Sequence, residues 1–136
     1  MSAEDVTDER LQARAAEVLR IEAGAVLDLV DTIDERFSAA CRLILACRGR
    51  VVVSGIGKSG HVARKIAATL ASTGTPAFFM HPAEASHGDL GMVTQDDVFI
   101  ALSNSGRTDE LLTIVPLVKR QGARLIALSG NADSPL

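Results

Sequence analysis

The period of the apolar positions changes near residue 50. Before it, Leu11, Ala15, Val18, Glu22, Ala25, Leu29 and Ile33 recur at threes and fours, which predicts a helical arm over residues 8–33. Gly24 interrupts that helix at a cost of about 1 kcal/mol relative to Ala. A second helix is expected over residues 34–48, with Phe37, Ala40, Cys41, Ile44 and Leu45 on one face and Gly49 as its stop. Two amphipathic helices are more than one side of a small sheet requires. Either both cover the sheet, or part of their surface meets another subunit.

From Arg50 onward, short apolar runs alternate with helical periods. Residues 51–54, 77–80, 97–102 and 124–128 read as strands. Residues 58–72 read as a helix with Val62, Ile66, Ala67 and Leu70 inward, and a further helix ends at Gly122. Residues 82–88 form a loop or short helix. Strands and helices in this alternation predict an α/β fold: a three-layer sandwich around a parallel sheet, preceded by two amino-terminal helices. The organisation expected is a helical arm over 1–49 and an α/β domain over 50–136. Ser129-Gly130-Asn131 after the fourth strand resembles a strand-end loop that should lead into a helix, so the sheet reads as cut short after four strands.

The most informative loop is Ser103-Asn104-Ser105-Gly106-Arg107-Thr108-Asp109-Glu110. It joins the apolar run 98–102 to a helix whose last turn carries Lys119 and Arg120. Open α/β sheets bind ligands at such strand-to-helix junctions. Ser103, Ser105 and Thr108 supply hydroxyls, Gly106 lets backbone approach closely, and a helix start offers unpaired N–H groups. Together these suit a phosphate monoester. An ordinary Ser/Gly turn with an N-cap accounts for the same letters.

Gly55-Ile56-Gly57-Lys58-Ser59-Gly60 matches G-x-G-x-x-G between a strand and a helix. A dinucleotide site there would want an acidic residue at the end of the second strand, and His81-Pro82 stand in that place. Lys58 is better read with the hydroxyl loop, where its ammonium could steady negative charge on a sugar oxygen; a solvated lysine is the alternative. Glu110 is either a carboxylate favoured by the helix dipole or a general base. His81, Glu84, His87 and Asp89 cluster after the second strand without a standard zinc spacing. Sugar binding or ring opening by His87, or simple turn and capping histidines, fit as well.

Composition narrows the partners. In 136 residues, 14 Lys+Arg stand against 17 Asp+Glu, for a formal charge of -3 and no basic stripe, which argues against nucleic acid. Aromatics are 3%, too few for base stacking, whereas 47% hydrophobic residues allow a sizeable core. Cys41 and Cys47 fall on different helix faces and are expected as free thiols of a reduced cytoplasm. The acidic amino terminus lacks the apolar core of a signal peptide, and no run has membrane-span length.

The blocks G-K-S-G-H, S-T-G-T-P, H-G-D-L-G-M and S-N-S-G, in that order, resemble the arabinose-5-phosphate isomerases of the sugar isomerase (SIS) domain superfamily. The resemblance implies a flavodoxin-like strand order and an aldose–ketose isomerase. It would interconvert D-ribulose 5-phosphate and D-arabinose 5-phosphate through a cis-enediol(ate), for the Kdo sugar of lipopolysaccharide. It places phosphate on Ser103, Ser105 and Thr108, with Gly106 for backbone approach. Lys58, Glu110 and His87 match catalytic positions. Ser54, Gly55, Ser59, Gly74, Thr75, His87 and Asn104 match or adjoin substrate-contacting ones. His81 matches a zinc position of inhibitory or structural character, and no organic cofactor is required. A cytoplasmic homo-oligomer, a tetramer or dimer, is implied, with no membrane or nucleic-acid partner. Family members continue past the position of Leu136 with another catalytic Glu and His, so the chain as given is expected to bind phosphate and isomerise poorly. A non-catalytic sugar-phosphate module, or another isomerase of the superfamily, remains the alternative.

Overall fold

The computed structural model describes residues 6–136, so the first residues of the acidic amino terminus lie outside the described part. The chain divides into two compact units, 1–39 and 40–136. The boundary falls ahead of residue 50 because the carboxyl half of the second helix belongs with the sheet.

In the first unit, α1 spans Asp8–Asp28. Thr7 caps it, its hydroxyl accepting from Arg10 N at 3.4 Å. The helix passes through Gly24 but does not reach Ile33. It tightens at its end into a 3₁₀ turn over Leu29–Thr32. No residue of α1 is buried, and Leu11, Leu19, Ile21, Val26 and Leu27 are all exposed. Helix α2 spans Glu35–Leu45 and starts on Asp34, whose Oδ1 accepts from Arg36 N at 2.9 Å and Phe37 N at 3.4 Å.

In the second unit, α2 ends sooner than the periodicity predicts. Ala40, Cys41, Leu43 and Ile44 are its partly buried residues, while Phe37 and Leu45, expected on the same face, are 53% and 85% exposed. Gly49 is not the helix stop. Its N–H donates to Asp96 O at 2.9 Å, and a Cβ there would overlap the Asp97 carboxylate. It is glycine because the chain passes against Asp96 and Asp97.

The strands are β1 (Val51–Gly55), β2 (Ala77–Met80), β3 (Val98–Ser103) and β4 (Arg124–Ser129). All pairings are parallel, in the order β2-β1-β3-β4. The helices between them are α3 (Gly57–Ser72), the short α4 (Pro82–Ser86) and α5 (Asp109–Arg120). Period-two alternation splits the core across the sheet. Val52, Phe99 and Ala101 face α4 and α5 through Ala85, Leu111, Ile114 and Val118. Val51, Val53, Val98 and Ile100 face α3 through Ala63 and Ala67, with Ile44 of α2 and Cys47 just after it beside them. This is the three-layer α-β-α arrangement the alternation predicts. Val62 is not inward; it is 53% exposed, and Ala63 takes its place. α5 runs on through Pro116, which is exposed; its missing N–H leaves one helical bond unmade.

The amino end of the sheet is pinned by Asp97, which is 1% exposed. Its carboxylate accepts from Arg50 N at 2.6 Å, Thr94 N at 2.7 Å and Thr94 Oγ1 at 3.1 Å. Edge strand β2 carries successive phenylalanines on opposite faces. The Arg50 guanidinium lies 5.0 Å from the Phe78 ring centre and that of Arg64 lies 3.9 Å from Phe79. Cys41 and Cys47 are free thiols. No helix of the described residues is long and apolar enough to cross a membrane.

Candidate functional site

β1 and β3 are neighbours, with Gly55 opposite Leu102. The turn entering α3 and the turn entering α5 therefore lie side by side at the carboxyl end of the sheet. Between them is a cleft of about 370 Å³, bordered by Lys58, Ser59 and Val62 of α3, by Ser103 and Asn104, and by residues 128–130 at the end of β4. The structure thus brings Lys58 and Ser59 to the hydroxyl loop.

The loop hydroxyls divide their work. Ser103 is 3% exposed. Its Oγ accepts from Gly106 N at 3.0 Å and stands 2.7 Å from Thr108 Oγ1. Ser103 and Thr108, expected to face a ligand directly, thus spend one hydroxyl proton on each other and brace the turn. Ser105 is exposed, and its Oγ accepts from Arg107 N at 3.2 Å. Thr108 is the N-cap of α5, yet its side chain makes no capping bond. The first-turn amides of α5 are left for another acceptor, as an anion site requires.

A second loop, missed as part of the site, closes against the first. Gly130 N donates to Asn104 O at 3.1 Å and Leu136 N to Gly106 O at 3.2 Å. Gly106 has φ +63°, and a Cβ on it would overlap Ser134 and come within 2.8 Å of Ser129 Oγ. Ser129, Gly130 and Ser134 are therefore part of the cradle. The signal was present: S-G-N after β4 repeats the composition of S-N-S-G after β3.

The remaining predicted residues lie elsewhere. Glu110 is exposed in the first turn of α5, and His87 is exposed at the C-cap of α4; neither borders the cleft with Lys58. Ser54 is fully buried, and its Oγ has no hydrogen-bond partner. Gly55 is buried at the end of β1, on the far flank of the α3 turn. Gly74 and Thr75 follow α3 at the opposite end of the sheet, where Pro76 O accepts from Val51 N at 2.8 Å, so they do not join the cleft within one chain. His81 caps α4, its Nδ1 accepting from Ala83 N at 3.2 Å. Among the described residues no three His, Cys, Asp or Glu side chains gather to hold a metal, so His81, Glu84, His87 and Asp89 do not form a zinc set.

Known proteins share this architecture. The arabinose 5-phosphate isomerase KdsD of Pseudomonas aeruginosa is 61% identical over 122 residues, which are 90% of this chain and 37% of that protein. KdsD of Escherichia coli K12 is 50% identical over 92% of this chain and 38% of its own length. The chain thus spans well under half of these curated relatives. The structure of E. coli CFT073 c3406 in complex with arabinose 5-phosphate superposes with a TM-score of 0.90 at 44% identity, covering 96% of this chain and 70% of that one. The crystal structure of a Listeria monocytogenes protein gives 0.91 at 31% identity, over 96% and 69%. The SIS-domain family model matches residues 44–136, from the end of α2 through the sheet to the second loop, and the chain belongs to the SIS-domain family.

Proposed function

We propose that this chain is the sugar-phosphate-binding part of an aldose–ketose isomerase interconverting D-ribulose 5-phosphate and D-arabinose 5-phosphate, in the supply of Kdo. The observation that carries the reading is the cleft in which Lys58 and Ser59 meet Ser103 and Asn104. The names of the KdsD relatives and of the arabinose 5-phosphate complex supply the substrate.

In this reading the phosphate sits on the first-turn amides of α5, with the Ser105 hydroxyl donating to it and Ser103, Thr108 and Ser134 holding the turn. Lys58 steadies negative charge on the sugar oxygen as a proton leaves the adjacent carbon. Glu110 and His87 lie outside the Lys58 cleft, so the proton transfer assigned to Glu110 and the ring opening assigned to His87 require the sugar to extend beyond it, past the first turn of α5 or into the site of a second copy. Gly74 and Thr75, at the far end of the sheet, contact substrate only in the site of a second copy. A homo-oligomer, a dimer or tetramer, thus belongs to the proposal, as does a cytoplasmic location. No organic cofactor is called on. Zinc at His81 would require the ring to give up its bond from Ala83 N, so no step is assigned to it.

The test is a calorimetric titration with arabinose 5-phosphate and with arabinose, alongside an assay of ribulose 5-phosphate conversion. Saturable binding of the phosphate ester alone, weakened in Ser105→Ala, supports the site; conversion lost in Lys58→Ala supports the chemistry. Equal affinity for arabinose and its phosphate would sink the reading.

A further inference from the structure

The first turns of α3 border two clefts. One of them, the Lys58 cleft, faces β3 and β4. On the opposite flank, against edge strand β2, lies a pocket of about 200 Å³ lined by three glycines of the β1–α3 turn, His61, Arg64, Phe79 and His81. No carboxylate lines it. Its volume is below the roughly 300 Å³ at which pockets for drug-sized ligands begin, so an occupant is small.

The donors are held in place. The Arg64 guanidinium stacks 3.9 Å from the centre of the Phe79 ring, and among the described residues it has no ion pair or hydrogen bond. Its fork of N–H groups is ordered without being spent. The His81 ring meets Phe79 edge-on, with centroids 6.3 Å apart at 70°. Because His81 Nδ1 accepts from Ala83 N, the neutral ring carries its proton on Nε2. Nε2 is then a donor. A metal on Nε2 would need the proton on Nδ1, pointing at the Ala83 N–H. His61 stands one helical turn before Arg64, on the same flank.

We propose that this pocket is a second oxyanion site, separate from the hydroxyl-loop cradle. It takes the phosphate or carboxylate group of a small metabolite on the Arg64 guanidinium and His81 Nε2–H, with His61 at the rim. It does not depend on the isomerase reading.

The experiment titrates inorganic phosphate, acetate and Zn²⁺ separately into the intact protein. Imidazole carbon-bound proton signals and calorimetry are recorded for the wild type and for Ser105→Ala, Arg64→Gln and Arg64→Lys. Phosphate is expected to give two saturable events. Ser105→Ala weakens the one that leaves the histidine signals still. Arg64→Gln weakens the one that moves His81 by about tenfold, the worth of a charge-assisted hydrogen bond, and Arg64→Lys falls between. An unchanged urea unfolding curve for the exposed Arg64 variants shows that the loss is local. Acetate moving the same histidine signals identifies carboxylate as an acceptable source. The proposal is overturned if phosphate and acetate leave His61 and His81 unmoved, if Ser105→Ala removes every event, or if His81 responds to Zn²⁺ alone.

Discussion

Replacing Gly106 by Ala tests whether the two loops at the carboxyl end of the sheet form one cradle. Gly106 holds φ +63°, and the added methyl would overlap Ser134 and approach Ser129 Oγ to 2.8 Å. Two costs follow. The left-handed backbone is worth about 1–2 kcal/mol against a side chain. Overpacking adds about 1–3 kcal/mol. The sum, about 2–5 kcal/mol, is a large part of a domain stability of roughly 5–15 kcal/mol, yet a folded protein should remain to be measured. Urea unfolding should report the loss, and titration with a sugar phosphate should show weakened binding, since Gly106 N donates to the bracing Ser103. Ser134→Gly removes the overlapped side chain and leaves the backbone angle alone. In a double-mutant cycle it should therefore return the packing share, about 1–3 kcal/mol, and not the rest. Gly106→Ala with unchanged stability, or a cycle with no coupling to Ser134, would refute the close approach of the loops.

Other outcomes follow from single sites. Asp97→Ala should lower stability by about 3 kcal/mol or more, because it strips the acceptor from the amides of Arg50 and Thr94 and from the Thr94 hydroxyl; a denaturant midpoint is the readout. Ser105→Ala should weaken sugar-phosphate binding by about 1–2 kcal/mol with little change in stability, whereas Ser103→Ala should lower both, as its hydroxyl serves Gly106 and Thr108. The Asp34 carboxyl is held below its usual range, chiefly by the hydrogen bond from the Arg36 side chain. A depressed folded value means the cap's contribution is present above the ordinary aspartate pKa and is lost as pH falls through the lower, folded one. The amide signals of Arg36 and Phe37 should shift in that acid window, and Asp34→Asn should abolish the shift.

Strand and helix order were legible because buried parallel strands read as unbroken apolar runs and the helices between them as threes and fours. The finer errors share a cause. Val62 and Ala63 are both apolar and adjacent, so pattern alone cannot say which faces the sheet; closeness of α3 to the strands favours the smaller one. Leu45 fits the helical stripe, but the chain turns away at Ala46 towards Gly49. Gly49 looked like a stop because the close passage that demands glycine comes from Asp96 and Asp97, far along the chain. In the site, the meeting of Lys58 with Ser103 was readable from strand order. The turning of Ser103 and Thr108 towards each other was not, since hydroxyls that brace a loop and hydroxyls that face a ligand are the same letters.

The arginines over the β2 phenylalanines bear on how the protein behaves when concentrated. An edge strand offers unpaired backbone groups to any other chain, and two successive aromatics would make that offer adhesive. Here each ring is roofed by a guanidinium, Arg50 on one face and Arg64 on the other. Two such edges meeting would bring cations together before any backbone pair could form. Salt screens this repulsion over about 10 Å at 0.1 M, and an anion held by Arg64 would neutralise one roof locally. The protection of the β2 edge is thus tied to the counter-ions of the buffer.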